Sequence, residues 1–431
     1  MKRELGTFER ALMIADGHAP FHIVSVLHIE GAPSPQIVRN ALKVLQDHHP
    51  FLAACLLKEQ GRTYFATLVE PGIPFHVLPR WNEAHWVDVA ELELGNRINT
   101  STGPLFRCTY LYDSTHERAE IILTLYPGIA DAASAARLMH EFLKVCASFG
   151  DEKTVPVYGQ IPAAPPVETR FPSAFRGWRL SLRTLRYALA QLADEILYRM
   201  QTRGKRIPPI HQKPTRGHIL SIQLAEDLVD ELSRRARLEK LTLNSLLNAA
   251  MLLAVNRELY AGQHVPMRTF SFANLRSYVH PPLSDEELAC YTSMLRYTVP
   301  VEGGIDFWQL ARDLHEKIYS SLKSGDKFVA NLMTEPLIKV ITGLKSFRMS
   351  ATALNYNGVV PVESSYGNMK VTGIHGFVSA YDLGPELSAQ ALLFNDQLFW
   401  DFIYLDADMT RDEAIAITEE IRTILSHAVG K

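Results

Sequence analysis

A chain of 431 residues with 47% apolar and 21% charged positions is long enough for two domains, and its usage is that of an ordinary globular protein, which excludes a disordered or low-complexity chain. A formal net charge of −3 offers nucleic acid no general attraction, so no nucleic-acid partner is expected. Cys55, Cys108, Cys146 and Cys290 stand far apart and mostly inside apolar runs, the pattern of buried thiols in a reducing cytoplasm rather than of a disulfide framework or a zinc site. The N-terminus has no apolar signal core, and the longest apolar run, 246–255, is too short to span a bilayer. A soluble or peripheral cytoplasmic monomer is the expectation.

In chain order, the β-branched run 21–29 predicts a strand ended by Gly31. Ser34 then offers an N-cap with Pro35 at the first helical position, and Val38, Ala41, Leu42 and Leu45 fall on one helical face. The adjacent pair His48-His49 follows, but the residue five positions after His48 is Ala53 rather than an acid, so the pair reads as structural. Gly103-Pro104-Leu105-Phe106-Arg107 leads into a strand over 108–112, and residues 120–125 form a further buried strand. That strand runs into Tyr126-Pro127-Gly128-Ile129-Ala130-Asp131, where glycine can loosen the turn. Asp131 can cap a helix whose Ala132, Ala135, Ala136 and Met139 give a small-residue face for close packing on a sheet.

Residues 154–216 are rich in proline around a basic segment in which Arg176, Arg179, Arg183 and Arg186 alternate with Trp178, Leu182, Leu185 and Leu189. This is the expected linker between a first half, 1–153, and a second half, 217–431. Its helix suits either packing on its own protein, the reading favoured here, or peripheral contact with an anionic membrane through 175–203. The second half opens with a strand over 219–224 and a helix over 227–237, and Thr242 or Asn244 caps an almost wholly apolar helix to about 259. Ser271 to Arg276 reads as a strand end, 306–322 as a long helix, and Leu354-Asn355-Tyr356-Asn357-Gly358 as another strand end. Strands over 389–394 and 399–404 and a last helix from Arg411 complete the chain.

The segment 120–137 resembles the core motif of the condensation-domain and CoA-dependent acyltransferase superfamily, a buried strand followed by His-His-x-x-x-Asp-Gly and a small-residue helix. Here the histidine positions hold Tyr126 and Pro127, the aspartate is Asp131, and the glycine is Ala132. The Gly-Pro-Leu-x-Arg, Asn-Leu-Arg and Asn-x-Gly segments resemble the same family in the same order, most like its freestanding phthiocerol dimycocerosyl transferase-like and alcohol acetyltransferase-like members. The resemblance implies two chloramphenicol-acetyltransferase-like α/β halves in a V around a central channel. It also implies a structural ion pair from Asp131 to Arg276 across the halves, and a channel edged by Gly128, Tyr356, Asn357 and Gly358. The implied substrates are an acyl-CoA or acyl-carrier-protein thioester as donor and a small-molecule hydroxyl or amine as acceptor, with a carrier protein as a further partner.

The family's second histidine is a general base, which needs an imidazole lone pair near neutral pKa, and proline has none. A phenol at Tyr126 titrates near ~10 and supplies little phenolate at neutral pH. Two functions therefore follow from the sequence, acyl transfer by a route that lacks the usual base, or a non-catalytic binding or assembly partner on the same scaffold. No Gly-x-Ser-x-Gly elbow, phosphate-binding loop or zinc spacing is present, so neither a tightly bound cofactor nor a metal is expected.

Overall fold

A computed structural model describes residues 1–430 apart from 69–71, 114, 116, 151–158, 176, 206–215, 285, 345–348 and 380–383. Of the linker positions read above, Arg176 lies outside the described residues. The first half runs β1 (Lys2–Glu4), α1 (Thr7–His18), β2 (Ile23–Glu30), α2 (Pro35–His48), β3 (Ala54–Glu59), β4 (Arg62–Thr67), β5 (Phe75–Pro79), α3 (His85–Gly95), β6 (Phe106–Asp113), β7 (Arg118–Leu125) and α4 (Ala132–Gly150). Then come α5 (Gly177–Thr202), β8 (Gly217–Leu224), α6 (Glu226–Leu238), α7 (Leu243–Leu259), β9 (Val265–Asn274), β10 (Thr292–Val301), α8 (Phe307–Ser324) and α9 (Asp326–Ile341). The chain closes with β11 (Thr352–Val359), β12 (Ser365–Tyr366), β13 (Met369–Val378), β14 (Leu387–Phe394), β15 (Gln397–Leu405) and α10 (Arg411–Ala428).

Two six-stranded mixed sheets carry the architecture, ordered β12-β13-β2-β7-β6-β5 and β10-β9-β11-β14-β15-β8, with a small three-stranded sheet β1-β4-β3 beside the first. Local chemistry accounts for the helix starts. Ser34 accepts the N–H of Ile37 at the start of α2, and Val38, Ala41, Leu42 and Leu45 all face the first core. Thr242 caps α7 through the N–H of Ser245, and the middle of that helix is buried on every side, as an all-apolar pattern requires.

The boundary at 217 divides the sequence but not the sheets. Strand β13 pairs antiparallel with β2 from Val378↔Ile23 to Lys370↔Glu30, so residues 365–378 of the second half complete the first sheet. The physical reason is an edge. Without β13, the apolar strand β2 would present unpaired N–H and C=O groups to solvent. The long helix expected over 306–322 is α8, and a further helix, α9, follows it and packs on α1.

Candidate active site

A cavity of ≈ 450 Å³ opens where the halves meet. Its walls come from Phe8, Leu12 and Ala15 of α1, Pro127 and Ala130 to Ala133 of the motif turn, Phe270 and Phe272 of β9, and Thr334 and Ile338 of α9. Met294, Ala353 and Val378 add further apolar surface. Its polar lining includes Asp131, Arg137, Asn274, Asn355, Tyr356, Asn357 and Gln390.

The motif turn is fastened by its aspartate. Asp131 Oδ1 accepts the N–H of Ser134 at 3.0 Å and so caps α4. Its Oδ2 accepts from Arg276 Nη1 at 2.6 Å and from the N–H of Tyr291 at 2.9 Å. Arg276 Nη2 donates to Ser134 Oγ at 2.7 Å and to the Ala289 carbonyl at 3.0 Å. Burial pulls the Arg276 guanidinium down, but the charge and hydrogen bond of Asp131 outweigh it, and its pKa sits above the ordinary arginine value. Ser134 was not singled out in the sequence, because a serine one turn into a small-residue helix carries no signal of a partner 142 positions away.

The two positions that hold histidine in the resembling family part company. Pro127 is in the cavity wall. Tyr126 is fully buried in the core of the first half, and its hydroxyl has no hydrogen-bond partner among the described residues. Burial first, then the charges of Asp16 and Glu9, push its pKa well above the ordinary tyrosine value. It is a packing residue and cannot act as a base at neutral pH. Its ring also explains Gly128, where a Cβ would lie 2.5 Å from a Tyr126 ring carbon. Gly128 therefore serves packing and is not part of the wall.

At the other strand end, Tyr356 and Asn357 line the cavity whereas Gly358 does not. Gly358 holds φ +65°, a conformation that favours glycine, at the irregularity between Tyr356 and Val359, beyond which β11 resumes its pairing with β14 at Leu393. Among the described residues no histidine lines the cavity. His140, the nearest in sequence to the motif, shares a 2.7 Å hydrogen bond with the Tyr366 hydroxyl, and burial lowers its pKa. Cys290 is in the wall, but burial and the nearby charges of Asp131 and Glu9 raise its thiol far above the range of a reactive thiolate.

His48 and His49 converge on Glu141, with His49 Nε2 2.7 Å from one carboxylate oxygen and His48 Nε2 3.6 Å from the other. Among the described residues this is the group whose side chains lie close enough together to hold a metal ion. The His48 Nδ1–H donates to the Gly159 carbonyl at 2.6 Å, and the cluster joins α2 to α4 away from the cavity wall.

Residues 213–392 match the model of the phthiocerol/phthiodiolone dimycocerosyl transferase C-terminus. No curated protein sequence matches the chain significantly. Among solved structures it is similar to polyketide synthase associated protein 5 from Mycobacterium tuberculosis, at 17% identity and a TM-score of 0.72, covering 100% of this chain and 98% of the other. The trichothecene 15-O-acetyltransferase from Fusarium sporotrichioides is similar at 13% identity and a TM-score of 0.78, covering 98% and 94%. The first condensation domain of the calcium-dependent antibiotic synthetase, at 14% identity, 0.69, and 100% and 97%, has the same architecture. The chain is thus built on the fold of the condensation-domain and CoA-dependent acyltransferase superfamily.

Proposed function

We propose that the protein binds an acyl thioester, presented by CoA or by a carrier protein, and transfers the acyl group to a small-molecule acceptor without an imidazole base. The cavity between the halves carries this reading. Its largely apolar wall suits an acyl chain, each buried methylene of which gains about 0.8 kcal/mol. The side-chain amides of Asn274 and Asn357 and the positive N-terminal end of α4 are at hand for a carbonyl oxygen that gains charge.

In the reaction the acceptor atom bonds to the thioester carbon, the C–S bond breaks, the thiolate leaves, and the acceptor's proton passes to water or to the departing sulfur. A neutral amine brings its own lone pair, whereas a hydroxyl must lose its proton as it attacks. Loss of the imidazole therefore penalises hydroxyls more, and an amine is the favoured acceptor. Rate comes from holding the two substrates in line. The four free, buried thiols are compatible with a monomer in the cytoplasm, and residues 175–203 are the proposed place of peripheral membrane contact.

A second reading, binding or assembly without turnover, is favoured by Pro127 in the wall together with the inert Tyr126. Measuring acyl-CoA consumption with panels of amines and alcohols separates the two. Wild type is expected to consume acyl-CoA with amines, and Pro127→His to gain transfer to alcohols by about 10²-fold or more. Turnover by the variant alone, with every acceptor, would establish the second reading instead.

A further inference from the structure

Helix α5 lies on the protein by its polar side. Tyr187, Gln191, Asp194, Glu195 and Tyr198 recur at helical spacing and face inward. Arg268, 2% exposed, donates to Asp194 at 2.8 Å and to Glu195 at 2.7 Å and stacks 3.7 Å above the Tyr198 ring. Arg296 donates to Gln191 at 3.1 Å. The opposite side is a stripe of large apolar residues, Trp178, Leu182, Leu185, Leu189, Leu192 and Ile196, each between 52% and 70% exposed. Their alternating spacing of four and three keeps them on one line, pointing away from the body over most of the roughly 39 Å that 26 helical residues span.

Charge decides what covers this line. The helix holds two acids, Asp194 and Glu195, both turned onto Arg268, with Glu195 also paired to Arg199 and Arg183 reaching back to the Ser324 carbonyl; Arg186 and, just beyond the helix, Arg203 and Lys205 are exposed. The same spacing would suit pairing with a second copy, but two such helices would set arginine against arginine with no acid between them. An apolar line flanked by basic side chains, with tryptophan at one end, is complementary to a surface that is negative outside and apolar beneath. We propose that α5 docks the protein flat on an anionic lipid bilayer surface through this stripe. Because α5 packs on α9, and α9 presents Thr334 and Ile338 to the cavity, docking would bring lipid-borne acyl groups close to the cavity wall. The inference deepens the peripheral contact named above, and its purpose rests on the acyl-thioester reading.

Co-sedimentation with vesicles, in the absence of any substrate, tests it. Wild type should bind phosphatidylglycerol-containing vesicles and not pure phosphatidylcholine vesicles, and high salt should weaken the binding. The triple variant Leu185→Ser, Leu189→Ser, Leu192→Ser should lose at least about tenfold in bound fraction while melting as wild type does, since all three side chains are exposed. Arg186→Gln with Arg203→Gln should lower binding in the same direction and remove most of the salt dependence. No binding to anionic vesicles, or equal binding to both vesicle types, would overturn the proposal. So would a dimer by analytical ultracentrifugation that the triple variant dissociates, since the stripe would then be a self-pairing face. Acyl-CoA consumption in vesicle-free buffer reports on the transfer reading separately, so either can fail while the other stands.

Discussion

Strand β9 has a buried arginine complex at each end, and the two do different work. Arg276, two residues past its C-terminal end, is 8% exposed and meets a carboxylate that is equally enclosed, locking the motif turn of one half to the other. Arg268, near the start of the strand, is more buried still at 2%, yet its partner Asp194 stands on a helix with a 32% exposed side chain. Arg276 faces a partner as deeply buried as itself, so removing one side strands a charge. Arg268 faces carboxylates that water can reach, so the same loss is partly repaired by hydration. Burial of the cation alone does not rank the two; burial of the pair does.

The first way to break that contrast is Arg276→Met. It leaves Asp131 buried with the Tyr291 and Ser134 N–H groups as its remaining donors, and is expected to cost about 3–5 kcal/mol, read as a lower urea midpoint at unchanged slope. A midpoint within experimental error of wild type would remove Asp131–Arg276 as the clasp between the halves. Asp131→Asn combined with Arg276→Met should cost less than the sum of the single changes, because the stranded charge is gone.

Arg268→Met is the second. Its expected cost is about 1–3 kcal/mol, discounted for the exposure of Asp194. The loss should be local, with faster proteolysis and amide exchange over 177–202 while the motif turn keeps its protection. A loss as large as that of Arg276→Met, spread over both halves, would erase the distinction between the two ends of the strand.

The ends also differed in how legible they were. Asp131 and Arg276 could be paired from the sequence only through the resemblance to the acyltransferase superfamily, which implies that ion pair across the halves. The helix over 177–202 was legible as amphipathic and basic, but periodicity states that a helix has an apolar face without stating which way it turns. The helix was expected to pack on its own protein, and Asp194 and Glu195 make that contact. What decides the orientation is a pair of arginines on β9 and β10, seventy and more residues later, which no local pattern connects to the helix. The cavity wall was partly hidden for a similar reason. The contribution of α9 went unread because Thr334 and Ile338 look like ordinary core positions until the halves are assembled. Gly128 is the opposite case, since it was expected at the channel edge, while steric fit against the ring of Tyr126 explains it.

Acid gives the smallest and most selective test of the comparison. Burial pushes the Glu195 carboxyl up, but the hydrogen bond of Arg199 and the charge and hydrogen bond of Arg268 outweigh it, so its folded-state pKa lies below the ordinary value of 4.5. A carboxyl with a depressed folded pKa contributes stability that is fully present above the unfolded value and disappears as pH falls through the folded one. Below pH 4.5 the grip of Arg268 on α5 should therefore weaken first on the side of Glu195, and amide exchange over 177–202 should rise before the global transition. Glu195→Gln should flatten this local response while leaving global acid unfolding nearly where it was. If α5 instead opened only together with the sheets, the helix would be part of the core that Arg276 locks, and the two ends of β9 would be one cooperative unit.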